Sequence, residues 1–93
     1  MIEMYLLEQL KAFRDFGTLS AAAEELHLAQ PTLSRSMQKL EDILGVPLFG
    51  RGKNKMTMNE TGKLAAEYAS RILDSEVEME RHIRAFDRSL HTI

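Results

Sequence analysis

The first segment of the chain carries apolar residues at helical spacing. Leu6, Leu7, Leu10 and Phe13 follow intervals of three and four, which predicts an amphipathic helix that packs on a core. Gly17 comes directly after this stripe, and a glycine commonly ends a helix. We therefore expect a first helix that stops before Gly17.

A short second helix is predicted next. Ser20 is a good N-cap, since its hydroxyl can accept a hydrogen bond from a free amide of the first turn. Ala22, Ala23 and Leu26 then fall on one side, where small side chains permit close helix packing. His27 is expected in the turn that follows.

A third helix is predicted over about residues 30–44. Pro31 suits its first position, where a missing amide proton costs nothing, and Gln30 is the expected cap. Gly45 is the expected stop. One stripe of this helix turns inward and consists of Leu33, Met37, Leu40 and Leu44. The opposite side consists of Pro31, Arg35, Gln38 and Lys39.

The remainder predicts a small hairpin and one long helix. Residues 47–49 and 55–58 are short candidate strands, separated by a turn-forming stretch at 50–54. From Glu60 the chain has no proline and only one glycine, which indicates a single helix to Leu90. At ~1.5 Å per residue it would extend about 45 Å, too long for the small module before it to cover.

Composition narrows the class of protein. With 93 residues, 44% of them hydrophobic, the chain fits one soluble globular unit, and no apolar run approaches the ~20 residues of a membrane span. It has no cysteine and no basic, apolar leader at Met1, so we expect a cytoplasmic protein. The net charge of −2 is the wrong sign for a nucleic-acid binder as a whole.

The distribution of charge changes that picture. Residues 30–59 hold five basic and two acidic side chains, a local charge of +3, whereas residues 60–93 sum to −2. A basic face of this kind can steer DNA although the whole chain is acidic.

Two helices joined by a short turn, the second with a polar and basic outer face, form a helix-turn-helix pattern. The first helix braces the second, so that N-terminal residues of the second can enter the major groove. There glutamine can pair with adenine and arginine with guanine. Hydroxyls at Thr18, Ser20, Thr32 and Ser34 are candidate phosphate contacts near helix starts.

The residues resemble the N-terminal DNA-binding domain of LysR-type transcriptional regulators. The resemblance runs over most of residues 4–90. It is carried by the blocks Ser20-Ala21-Ala22-Ala23-Glu24-Glu25-Leu26, Gln30-Pro31-Thr32-Leu33-Ser34-Arg35, Leu40-Glu41, Leu44-Gly45-Val46-Pro47-Leu48-Phe49, Arg51 and Asn59-Glu60-Thr61-Gly62.

Three positions depart from the family pattern. Thr18 stands where serine is common and Asn59 where threonine is common, and both preserve hydroxyl or capping chemistry. Gly50 replaces a frequent acidic residue and adds backbone freedom beside Arg51.

The resemblance implies a mainly α fold, a winged helix-turn-helix of three helices and a β-hairpin wing, followed by a long linker helix that dimerises. It divides the chain into a DNA-binding domain at 1–59 and a linker helix at 60–93. The implied partners are a double-stranded DNA operator and a second copy of the chain. A small-molecule effector would bind a C-terminal domain absent from this chain.

The predicted site residues fall into two groups. The DNA-binding group is Thr18, Ser20, Gln30, Pro31, Thr32, Ser34, Arg35, Gln38, Lys39, Arg51, Lys53, Asn54 and Lys55. The dimer group, near heptad spacing, is Tyr68, Ile72, Met79, Ile83, Phe86 and Leu90. Glu76 interrupts this seam, with Val77 alongside, which argues against a regular parallel coiled coil.

Other interpretations stay open from the residues alone. The polar face of the third helix is also what an ordinary solvated helix shows, and the basic loop at 51–55 could serve solubility. A helical adaptor that binds a protein through the long helix is the alternative function.

Catalysis and metal binding are weaker hypotheses than DNA binding. His27, His82 and His91 are scattered, and Ser34, with His27 and Glu24, has no nucleophile elbow beside it. We therefore predict no enzyme activity, no metal and no cofactor.

Overall fold

In a computed structural model, which describes residues 1–52 and 55–92, the chain folds into helices around one core with a small antiparallel sheet beside them. The elements are α1 (Met4–Phe16), α2 (Leu19–Glu25), α3 (Gln30–Leu44), β1 (Phe49–Gly52), β2 (Lys55–Met58) and α4 (Glu60–Leu90). This mainly helical winged-helix architecture is the predicted one.

The core is built where α1, α2, α3 and the start of α4 meet. The inward faces of the first three helices are those that the apolar spacing predicts, except at Leu44 and the half-buried Leu26. The largest fully buried side chains are Phe13, Leu6, Leu10, Leu33, Met37, Leu40 and Leu48. The ring of Phe13 also meets that of Phe49 at 4.7 Å between centroids, which joins the hairpin to α1.

The start of α2 differs from the prediction. Thr18, not Ser20, is the N-cap, and its hydroxyl accepts a hydrogen bond of 3.1 Å from the amide of Ala21. Gly17 ends α1 in the left-handed conformation, with φ of 84°, and turns the chain so that the helix begins at Leu19. Ser20 is therefore already the second residue of the helix.

The start of α3 also lies one residue earlier than predicted. Ala29 is the N-cap and has no side-chain acceptor, but its carbonyl accepts from the amides of Thr32 and Leu33. Gln30 is the first helical residue and Pro31 the second, where an amide proton would still lack an intrahelical partner. His27 lies in the turn before it with φ of 57°, as expected for the turn.

The end of α3 projects from the core. Gly45 ends the helix in the left-handed conformation, as predicted. Leu44 was expected to be buried, but it is 42% exposed, and its neighbours Ile43 and Val46 are equally open. The inward stripe of α3 thus ends at Leu40.

The hairpin begins later than predicted. Pro47 and Leu48 precede the sheet, and β1 starts at Phe49 and continues through residues 50–52 that were assigned to the turn. Phe49 pairs with Met58 and Gly52 with Lys55 in antiparallel register. The second strand has the predicted bounds.

Helix α4 starts on a tightly packed junction with the hairpin. Asn59 caps it, since its side-chain oxygen accepts from the amide of Gly62 at 2.7 Å. The side-chain amide of Asn59 donates to the carbonyl of Pro47, and its backbone amide donates to that of Leu48. A Cβ at Gly62 would overlap the Leu48 carbonyl oxygen, so the helix can approach this closely only with glycine.

The first turns of α4 pack on α1 through small residues. Ala66 and Ala69 are buried, and Arg14 on α1 donates a hydrogen bond of 3.3 Å to the carbonyl of Ala66. From Asp74 onward almost every side chain is exposed, and the molecule extends to 64 Å along its longest axis. In the part of the chain that the structure describes, no helix is long and apolar enough to span a membrane.

Substitution Gly62→Ala should lower the free energy of unfolding by about 1–3 kcal/mol, the usual cost of overpacking. The gain of up to ~1 kcal/mol in helix propensity does not offset an overlap with backbone. Urea denaturation measures the difference. Gly50→Ala is the matched control, because its Cβ would meet only Thr57 Oγ1 at an ordinary 3.7 Å. Equal stability of the two variants would contradict the close contact at Gly62.

Candidate nucleic-acid interface

The first turns of α3 present a polar surface. Gln30, Pro31 and Arg35 are exposed, whereas Thr32 and Ser34 are half-buried beside them. Because Leu33, Met37 and Leu40 are completely buried on the opposite side, the rotation of the helix about its axis is determined. The predicted contact face therefore points outward.

An open depression separates the starts of α2 and α3. It is lined by Leu19, Gln30, Pro31 and Ser34, and is therefore apolar in part. Sequence reasoning did not single out Leu19, because an apolar residue at a helix start usually packs inward. Its position beside Pro31 gives the face an apolar area next to amide and hydroxyl groups.

Thr18 and Ser20 lie near this face at the beginning of α2. Both are exposed, although the oxygen of Thr18 already accepts the capping hydrogen bond. The hydroxyl proton of Thr18 can still be donated. Each hydroxyl can therefore donate to an anionic oxygen.

Gln38 and Lys39, further along α3, are engaged within the protein. Gln38 donates to Asp42 at 3.2 Å. Lys39 pairs with the Glu3 carboxylate at 3.5 Å, donates to the Tyr5 hydroxyl at 3.3 Å and lies over the Tyr5 ring. The hydrogen bond to Tyr5 and the charge of Glu3 raise the pKa of Lys39 above its ordinary value. Each side chain keeps at least one further N–H donor, and its intramolecular partners would compete with DNA for it.

The hairpin carries a basic edge beside α3. Lys55 and Thr57 are exposed on β2, while Met56 and Met58 turn partly toward the core. Arg51 on β1 is exposed but bound to Glu41, with 3.4 Å between nitrogen and oxygen. The predicted contacts Lys53 and Asn54 lie outside the described residues.

Glu41 is the residue that sequence reasoning missed. It lies in the last turns of α3 beside the exposed Asp42, but it is buried, with 6% of its surface exposed. Its carboxylate accepts hydrogen bonds from the backbone amides of Leu48 and Phe49, at 2.7 and 3.2 Å. The sequence signals were its position next to the buried Leu40 and the family block Leu40-Glu41, neither of which assigns it a role.

A second exposed surface runs along α4. At 100° per residue its members fall within about a third of the helix circumference, on a side different from the buried alanines. The surface consists of Leu64, Tyr68, Ile72, Met79, Ile83, Phe86 and Leu90, all at least 45% exposed, and we call it the apolar stripe. Leu64 was not predicted, although it lies one turn before Tyr68.

Glu76 borders the apolar stripe where it is interrupted. A hydrogen bond with Glu80, one turn away, raises the pKa of Glu76 above its ordinary value. Arg71 lies over the ring of Tyr68 at 5.0 Å and pairs with Glu67. Val77, half-exposed, points to another side of the helix, because five residues separate it from Ile72.

Comparison with known proteins identifies the same module. The family model described as a bacterial regulatory helix-turn-helix protein of the lysR family matches residues 4–63. The SDS degradation transcriptional activation protein of a Pseudomonas species is 38% identical over 76 residues, which cover 82% of this chain and 25% of that protein. The chain thus spans about a quarter of the length of the curated relatives it matches.

Solved structures with the same fold include complexes with DNA. The CbnR DNA-binding domain in complex with DNA has a TM-score of 0.85 and 34% identity, covering 92% of this chain and 99% of that one. The BenM DNA-binding domain with its benA site 1 DNA has a TM-score of 0.84 and 29% identity, covering 91% and 99%. These similarities confirm the predicted winged helix-turn-helix and the family resemblance.

Substitution Thr18→Ala should lower the free energy of unfolding by about 1 kcal/mol, because the amide of Ala21 loses its capping acceptor. Thr18→Ser keeps the hydroxyl and should be close to wild type. Ser20→Ala, inside the helix, should change stability by less than about 0.5 kcal/mol. Thermal unfolding of the three variants checks the assignment, which would be wrong if Ser20→Ala were the more damaging change.

Proposed function

The chain belongs to the lysR family of bacterial regulatory helix-turn-helix proteins, and we propose that it is the double-stranded DNA-binding module of a transcription regulator that works as a dimer. The observation that carries this proposal is the polar N-terminal face of α3, held outward by a fully buried apolar face. Domains of the same fold, at 29–34% identity, have been crystallised with DNA. Family membership favours this function over a protein-interaction adaptor.

In the proposed complex α3 lies in the major groove. Gln30 and Arg35 are exposed on its first turns and have the side chains that pair with adenine and guanine edges. Pro31 supplies apolar contact beside them, and the half-buried Ser34 adds a hydroxyl. Gln38 and Lys39 follow one turn further, where their intramolecular partners compete with DNA for their N–H groups.

Phosphate contacts surround this base-reading surface. Thr18, Ser20 and Thr32 lie at the starts of the two helices, where hydroxyl groups can donate to backbone oxygens. The hairpin acts as the wing, near the minor groove or the DNA backbone. Its exposed cations among the described residues are Arg51, which is paired with Glu41, and Lys55, which forms no ion pair with another described residue. Lys53 and Asn54 remain predicted wing contacts.

The apolar stripe of α4 is the proposed dimer surface. Seven large apolar side chains along one face of a helix are more than a monomer normally leaves in water. A second copy of the same helix can cover them, and two copies place two α3 helices on two half-sites. The division into a DNA-binding part at 1–59 and a linker at 60–93 stays a prediction, since the first turns of α4 also belong to the core.

Other parts of the proposal follow from the family. The chain acts by binding rather than catalysis, in the cytoplasm, where bacterial DNA lies. In a protein of the relatives' length, a small-molecule effector would bind outside the region matched here.

Substitution Arg35→Ala should weaken binding to the preferred DNA sequence by about 1–3 kcal/mol, because a bidentate contact to guanine is lost. Selecting bound sites from a random oligonucleotide pool supplies that sequence, and fluorescence anisotropy measures the affinities. Arg81→Ala is the matched control, since it removes an exposed arginine from the distal part of α4. An equal loss on preferred and random DNA would refute base reading by Arg35.

Substitution Ile83→Glu should shift the chain from dimer to monomer, because it introduces a charge in the middle of the distal apolar stripe. Ala85→Glu adds the same charge about 120° away from the centre of the stripe and should leave the dimer intact. Sedimentation velocity over a range of concentrations distinguishes the two. A dimer that survives Ile83→Glu would contradict the proposed surface.

A further inference from the structure

Glu41 places a carboxylate between α3 and the wing. Within residues 1–52 and 55–92, Glu41 is the one charged residue that is buried. One oxygen accepts from the amides of Leu48 and Phe49, and the other lies 3.4 Å from a guanidinium nitrogen of Arg51. All three donors belong to the segment that enters and forms β1.

These hydrogen bonds determine where the Glu41 carboxylate and its donors must lie relative to one another. A buried carboxylate is stable only when donors replace its water, and here two of them are backbone amides whose positions depend on the path of the chain. Glu41 lies on α3 one residue after the fully buried Leu40. One side chain thereby determines how α3 is oriented relative to the start of the wing.

Met56 and Met58 pack β2 partly against the core, but β1 has few contacts with the helices beyond its first residue. Two strands of four residues form a hairpin that is marginal by itself. Phe49 anchors one end against Phe13, but residues 50–52 of β1 are exposed. Among the described side chains of β1 after Phe49, Arg51 is the one that contacts a helix, through its ion pair with Glu41.

We propose that Glu41 is a positioning residue that fixes the wing relative to α3, acting through Leu48, Phe49 and Arg51, so that groove reading and backbone contact occur together. This inference rests on the proposed DNA-binding function. It assigns Arg51 chiefly to bracing the wing rather than to a phosphate, because its guanidinium is already paired.

The test asks whether the wing contact depends on Glu41. In the wild-type chain, Lys55→Ala should reduce the slope of log affinity against log salt concentration by about one, the value for one lost phosphate contact. In the Glu41→Gln background the same substitution should change this slope little, because the wing is no longer held where Lys55 reaches the DNA backbone. Glutamine can keep its oxygen toward the amides of Leu48 and Phe49, but its side-chain NH2 group then faces the guanidinium of Arg51. Two N–H donors cannot hydrogen-bond each other, so the contact with Arg51 is lost.

Arg51→Met is a second background that keeps the buried carboxylate and its two amide bonds. It changes a half-exposed side chain and is therefore compatible with folding. In this background too, Lys55→Ala should change the salt slope less than it does in the wild-type chain. Circular dichroism melts ensure that affinities are measured where each variant is folded, and hydroxyl-radical footprinting reports protection of the DNA backbone by the wing.

The outcomes separate the inference from the function on which it rests. A Lys55→Ala effect that is equal in all three backgrounds, with an unchanged wing footprint, overturns the positioning role while DNA binding stands. Lack of a Lys55 effect in the wild-type chain overturns the wing contact and this inference with it. A wild-type chain without sequence-selective DNA binding overturns the proposed function itself.

Discussion

Burial of one face of α3 is the constraint on which the rest of the molecule depends. Leu33, Met37 and Leu40 are all completely buried, and each contributes roughly 1.5–3 kcal/mol relative to exposure. Any rotation of the helix would bring one of them into water. The same constraint holds Gln30 and Arg35 outward, so the stability of the core and the direction of the proposed base-reading surface have one cause.

A second constraint carries this orientation into α4. Gly62, Ala66 and Ala69 present so little side chain that the helix lies directly against the hairpin base and α1. Arg14 adds a hydrogen bond to the carbonyl of Ala66 across the same contact. Small residues at such contacts leave few alternative packings, because no long side chain can change rotamer to absorb a shift. The apolar stripe therefore keeps a defined direction relative to α3, which is what two half-sites at a set spacing require.

Sequence patterns predicted the parts of this structure that depend on periodicity. The inward positions of α1 and α3 and the long α4 follow from helical spacing, and Gly17 and Gly45 end helices in the left-handed conformation that glycine adopts readily. The family blocks added the interpretation of the predicted hairpin as a wing. Of the site residues, Arg35 and Gln30 are exposed as expected, and they were predicted because a helix face can be read from local spacing alone.

The errors arise where the outcome depends on the path of the chain. Thr18 and Ser20 are both capable caps, and the turn at Gly17 decides between them. Glu41 is acidic and near a helix end, which by itself indicates a solvated side chain. Its amide partners come seven and eight residues later, and they meet it only because the loop after Gly45 folds back over α3.

Pairing within the protein also limits which cations serve DNA affinity. Lys39 and Arg51 already have carboxylate partners, whereas Arg35 and Lys55 form no ion pair with another described residue. A side-chain cation that neutralises a phosphate releases counterions from the DNA. An unpaired cation does so without first leaving a carboxylate, so the unpaired side chains contribute most to affinity. One copy therefore offers few strong phosphate contacts for a chain of net charge −2. In the proposed dimer, binding of one copy to its half-site raises the local concentration of the second copy at the other half-site, which increases affinity without any new contact. On this physical ground the proposed dimer surface matters as much to operator binding as the proposed base-reading residues do.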